Sequence, residues 1–116
     1  MLDQVAQVLE RYMDVLSARQ RLVASNVANA DTPGYKTQGF DFEQEFARQL
    51  NGASGSTTAP RVEDVDGLVP RPDGNNVSMD REGMQLAKFQ LQFRLGVELL
   101  KHEYSSVMSA IHAEAK

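Results

Sequence analysis

A long helical pattern cut off by a proline-glycine turn sets the plan of this chain. Leu2, Val5, Leu9, Met13, Leu16, Val23 and Val27 recur at spacings of three and four, a stripe interrupted by Gln20. The spacing predicts an amphipathic helix of about 27 residues from Leu2. That length exceeds the usual globular helix and suits a coiled-coil-like element. Asp31-Thr32-Pro33-Gly34-Tyr35 then stops it. Pro33 fixes φ and moves Thr32 out of the helical region, while Gly34 supplies the positive φ that the third residue of a type II turn requires. Asn26 and Asn29 lie three apart on one face just before the stop. Each is either a register-fixing amide or, for Asn29, a helix C-cap.

Beyond the turn, Asp41 with Gln44 reads as an N-cap signature. Phe42, Phe46 and Leu50 follow at helical spacing, so a short helix is expected over 42–50. The run Asn51 to Pro60 is small and polar and predicts a mobile segment. Between Arg61 and Asn76, Val62, Val65, Leu68 and Val69 are candidate edge-strand residues, with a weakly signalled hairpin among them. Ser78 is a candidate N-cap with Asp80 and Glu82 in the first turn, and a second long helix should begin near Met79. Its interior alternates strictly, with Phe89, Leu91, Phe93, Leu95, Val97 and Leu99 apolar, which fits a strand as well as a helix. The continuation through Phe93, Val97, Leu100, Tyr104, Val107 and Ile111 at spacings of four and three favours helix. Such a helix is apolar on two sides, and one of them needs a partner other than the first helix.

The fold class read from these patterns is mainly α. Two long N- and C-terminal helices pair as a coiled-coil-like hairpin, with a short helix and a flexible, partly extended middle segment. The chain divides into 1–30, the first helix; 31–50, the turn and short helix; 51–77, the extended segment; and 78–116, the last helix; together they form one functional unit.

The chemistry is sparse. A net charge of −4 on 116 residues, with basic residues scattered, argues against nucleic acid. No cysteine is present, so thiolate metal sites and thiol nucleophiles are excluded. His102 and His112 are not helical neighbours, and Glu98 with His102 supplies too few ligands for a metal. Asp64, Asp66 and Gly67 have the wrong spacing for a calcium loop. No catalytic, cofactor-binding or metal-ligating residue is assigned, and no small-molecule substrate is expected. The N-terminus shows no cleavable signal, which on standard export rules places the chain in the cytoplasm.

The residues Ala24 to Tyr35, with Asn26, Ala28, Asn29 and the unbroken Thr32-Pro33-Gly34-Tyr35, resemble the N-terminal signature of the bacterial flagellar rod and hook family. Gly74 to Glu82 is similar to the stretch that opens the last helix in the proximal rod members of that family. The resemblance implies a structural subunit of the proximal rod, whose terminal helices build an axial tube carrying torque from motor to hook. It implies, as partners, further copies of the chain, other rod proteins, the adaptor joining rod to membrane ring, and the export gate. It also implies export by the flagellar type III apparatus without a cleaved signal, which moves the expected location to the basal body. On this reading Leu9, Met13, Leu16, Val23 and Val27 pack against Phe93, Val97, Leu100, Tyr104 and Val107, within or between subunits. Asn26 and Asn29 set register, and Thr32, Pro33, Gly34 and Tyr35 form a docking turn anchored by the tyrosine. The alternative is a cytoplasmic helical adaptor or chaperone-like coiled-coil dimer.

Overall fold

The computed structural model describes residues 2–52 and 59–114. Along the chain lie α1 (Leu2–Ala28), β1 (Gln38–Gly39), α2 (Phe42–Asn51), β2 (Glu63–Asp64) and α3 (Met79–Glu114). The molecule is a rod of 71 × 28 × 19 Å. The segment expected to be mobile falls, for residues 53–58, outside the described residues.

α1 ends where the turn chemistry demands. α3 resolves the alternating stretch as helix, capped by Ser78, whose Oγ accepts from Arg81 N at 3.2 Å. The two helices run antiparallel: Asn26 meets Glu82, Arg19 meets Gln92, and Tyr12 and Met13 meet Gly96. α3 is 36 residues long against 27 for α1, so its C-terminal turns project past the start of α1. Gly96 marks the tightest approach. A Cβ there would lie 2.9 Å from Met13 Sδ and 3.2 Å from the Tyr12 ring. In an isolated helix this glycine costs about 1 kcal/mol against alanine; here it admits the facing helix.

Of the two long helices, α2 docks on α1. Tyr12 sits edge-on to Phe42 and Phe46, with ring centroids 5.6 Å away in each case, and the Arg19 guanidinium lies 5.0 Å from the Phe42 ring. Aromatic pairs at such separations add about 0.5–1.5 kcal/mol beyond the area they bury. The Asp41 carboxylate accepts from Gln44 N at 3.1 Å, as the cap signature predicts. The buried positions of α2 are Glu45 and Gln49, while Leu50, expected on the packing face, is exposed. Glu45 binds Arg48 at 2.7 Å and accepts from Arg61 N at 3.0 Å, which draws the chain beyond residue 60 back to α2. That return explains a difference from the sequence reading. Residues 63–64 pair not with their own neighbours but with β1, Gln38 opposite Asp64 and Gly39 opposite Glu63. Val62 and Val69 remain exposed.

The apolar core is small: Leu9, Val15, Leu16, Val23 and Val77. Val15 lies off the predicted stripe; with Leu16 beside it, α1 buries a broader arc than one seam needs. The α3 seam toward α1 is Glu82, Gln85, Phe89, Gln92 and Gly96, spaced three and four apart and largely polar or small. Phe89, Val97 and Val107 are half-buried, but most of the other large apolar residues of α3 are exposed. Leu91 is 70% and Tyr104 65% exposed, and Phe93, Leu95, Leu100 and Ile111 are exposed as well. Since α2 rests on α1, no described element covers them.

Candidate assembly site at the end of α1

The predicted turn forms around Thr32–Tyr35. Tyr35 N donates to Thr32 O at 3.2 Å, Pro33 occupies the second position, and Gly34 has φ +76°. Pro33 and Gly34 are exposed at its tip. A non-glycine residue at that φ would cost roughly 1–2 kcal/mol.

Below the turn Asn26 is almost fully buried, and its amide is satisfied on every side. Its Nδ2 donates to Gln38 O at 2.9 Å and to Glu82 Oε1 at 2.6 Å. Its Oδ1 accepts from the Tyr35 hydroxyl at 2.8 Å and from Gln38 N at 3.0 Å. Two donors and two acceptances exhaust what an asparagine amide readily makes. The side chain therefore replaces the missing neighbour on the open edge of β1 and joins α1, the turn and α3 in one knot. Glu82 is 1% exposed, and Arg81 Nη1 contacts both of its oxygens at 3.0 Å. Losing one partner of a buried ion pair costs about 3–5 kcal/mol, which makes this knot exacting as well as stable.

Asn29 has the local role. Its Nδ2 donates to Ser25 O at 2.8 Å, and its Oδ1 accepts from Thr32 Oγ1 at 3.1 Å, so it closes the last turn of α1 instead of reaching another helix. Tyr35 spends its hydroxyl on Asn26 within the chain and is half-buried.

A second set of bonds laces the turn to residues 71–77. Gly34 N donates to Asp73 O at 2.9 Å, Asn76 N to Tyr35 O at 3.3 Å, and Thr37 N to Asn76 Oδ1 at 2.7 Å. Lys36 Nζ reaches Gly74 O at 2.5 Å. Asn75 is wholly buried against the end of α1.

Of the packing residues named from the sequence, Leu9, Leu16 and Val23 are buried and Met13 is half-buried against Gly96. Val97 and Val107 are half-buried. Val27, Phe93, Leu100 and Tyr104 are not part of the seam within the chain. The physical reason is helical phase: Gly96 and Gln92 face α1, so residues a further turn-fraction round face solvent. Glu82, Asn75, Asn76 and Arg71 went unassigned. Glu82 looked like a first-turn acid serving the helix dipole, and its position at the head of the seam spacing was the available signal. Asn75 and Asn76 stood inside the second resembling segment.

At its other end the helix pair opens into an apolar groove of about 320 Å³ between Val5, Val8 and Leu9 of α1 and Leu99 of α3. Nearer the knot, burial holds the Tyr12 phenol above its ordinary value, an effect that the Arg19 charge opposes, and burial also lowers Arg19. Among the described residues no three His, Cys, Asp or Glu side chains are placed to hold a metal ion. No described helix is long and apolar enough to cross a membrane.

A stiff antiparallel pair with a pinned turn at one end and a long helix whose apolar faces stand open is the build of a structural subunit made for assembly. The family model described as flagella basal body rod protein matches residues 13–36, which carry the end of α1, the knot asparagine and the turn. The flagellar basal body rod protein FlgB of Cereibacter sphaeroides is 36% identical over 83% of this chain and 84% of its own length. The FlgB of Borrelia hermsii is 33% identical over 84% of this chain and 87% of its own. That of Escherichia coli K12 is 27% identical over 97% of this chain and 96% of its own. The chain belongs to the FlgB family of flagellar basal body rod proteins, and is a structural subunit of the proximal rod.

Proposed function

We propose that the chain enters the rod through the faces of its terminal helices that the single chain leaves bare, and so becomes part of an axial tube that passes torque from motor to hook. The observation that carries this is the phase of α3. It meets α1 through Glu82, Gln92 and Gly96 and turns Phe93, Leu100 and Tyr104 outward. Large aromatic and aliphatic side chains held on a rigid helix are the usual anchors of protein interfaces. The apolar area left open on one helix is of the kind that marks association. Copies of the chain, other rod proteins, the adaptor at the membrane ring and the export gate are its neighbours in this reading. Export through the flagellar type III apparatus delivers it there. The knot at Asn26 fixes the register of α1 against α3, and the exposed Pro33-Gly34 tip is the docking turn.

Replacing Phe93, Leu100 and Tyr104 together by serine tests the reading. Folding of the single chain should change little, because none of the three is buried in it. Motility and recovery in basal bodies should be lost. A motile triple variant would sink the assignment of this face.

A further inference from the structure

The final carbonyls of α1 are closed locally, by Asn29 N on Ser25 O and Ala30 N on Val27 O, but the carbonyls just past the helix end are bound from far along the chain. A helix end leaves its final C=O groups without helical partners, and a residue just past the end commonly satisfies them. Here Asn75 Nδ2 donates to Asn29 O at 2.9 Å and to Thr32 O at 2.8 Å. Arg71 Nη2 donates to Ala30 O. The donors lie 41 to 46 positions downstream of the carbonyls they close. The same two side chains hold the entry to α3. Asn75 Oδ1 accepts from Val77 N at 2.8 Å, and Arg71 Nη1 donates to Val77 O at 3.1 Å. Asn75 is 0% exposed, so its amide is shielded from bulk solvent.

We propose that Asn75, with Arg71, is a positioning element for assembly: it sets the direction in which the Thr32–Tyr35 turn leaves α1 relative to the first turn of α3. It differs from the Asn26 knot, which ties the sides of α1 and α3 together and reaches the turn only through the Tyr35 hydroxyl. The Asn75 amide and the Arg71 fork instead tie the outgoing chain to the incoming one. Neither side chain supplies apolar area to the helix seam, so what they provide is direction. Beside the local bonds of Asn29 and Tyr35, the turn is therefore aimed by side chains from the second half of the chain. This inference rests on the rod reading.

The test compares neighbours. Asn75→Asp keeps the shape and the acceptor for Val77 N but removes both donations to the turn, at Asn29 O and Thr32 O. Asn76→Asp adds the same charge one residue on and keeps its acceptor for Thr37 N. Each is expressed in a flagellated host lacking its own copy, and the amount in purified basal bodies is divided by the amount in the cell. Far-ultraviolet circular dichroism of the purified chains reports helix content. Asn75→Asp should lower the assembled fraction by about tenfold or more, the scale of a buried donor pair lost, with helix content unchanged. Asn76→Asp should stay near the wild type. Equal losses in the two variants, or an assembled fraction for Asn75→Asp like that of the wild type, would overturn the proposal. If Asn75→Asp is degraded in the cell, Arg71→Lys decides, because one ammonium cannot replace the fork that holds Ala30 O and Val77 O. A clear loss of assembly supports the proposal and an unchanged fraction overturns it. Wild-type chain missing from basal bodies would overturn the rod reading and this inference with it.

Discussion

Asn26 donates to Glu82 at 2.6 Å across 56 positions of sequence, and this bond fixes where α3 lies along α1. Because the two residues stand near the end of one helix and the start of the other, a slip of one turn would leave both buried groups unpartnered. The buried apolar side chains of the hairpin come mainly from α1, and the contact that pairs one helix end with the other is polar.

Asn26→Asp should therefore be worse than loss of the side chain alone. It turns a donor facing the Glu82 carboxylate and Gln38 O into an acceptor, at a cost of about 3 kcal/mol or more. Urea unfolding of the purified chain measures it. A midpoint equal to that of the wild type would remove the knot from the account.

Gly96 tests the helix contact. Gly96→Val places a branched side chain 2.9 Å from Met13 Sδ and 3.2 Å from the Tyr12 ring, and should destabilise by about 1–3 kcal/mol. Gly96→Ala should be close to neutral, since a gain in helix propensity of about 1 kcal/mol offsets a small shift of the Met13 end. Thermal unfolding separates the two. Stabilisation by valine would mean that the helices do not touch there.

The pH dependence should carry a contribution from Glu45. Burial raises its pKa, but the Arg48 hydrogen bond, Arg61 N–H and both cations outweigh burial and hold the carboxyl below its ordinary 4.5. A carboxyl with a depressed folded-state pKa adds stability that is present above the unfolded value and lost as pH falls through the folded one. The loss belongs to the acid side of 4.5. Glu45→Gln should be less stable than the wild type at pH 7 and show a flatter decline below that point, read from urea midpoints across pH. An acid limb of unchanged steepness would count against the Glu45 contacts.

Much of this was legible before the structure. The apolar spacing located α1, Pro33 and Gly34 located its end, and Asp41 with Gln44 located the start of α2, because each signal acts through bonds a few residues long. The resemblance of Ala24–Tyr35 supplied the family. What could not be read was phase and distance. The two apolar faces of α3 drew the sequence reading, but the side that meets α1 carries Glu82, Gln92 and Gly96, and its close approach is visible only once the helices are paired. The bonds from Asn75 and Arg71 to the turn after α1, and from Asn26 to Glu82, span 41 to 56 positions and leave no local pattern. Val15 and Glu82 were missed for the same reason.

In the proposed rod, neighbouring subunits fill the bare faces of the α1–α3 pair. Imaging of purified basal bodies at side-chain resolution tests it most directly. The account predicts this chain in the rod, with Asn26 still against Glu82 and with Phe93, Leu100 and Tyr104 covered by other subunits. Basal bodies without the chain, or a chain there whose α3 aromatic residues face open solvent, would contradict it.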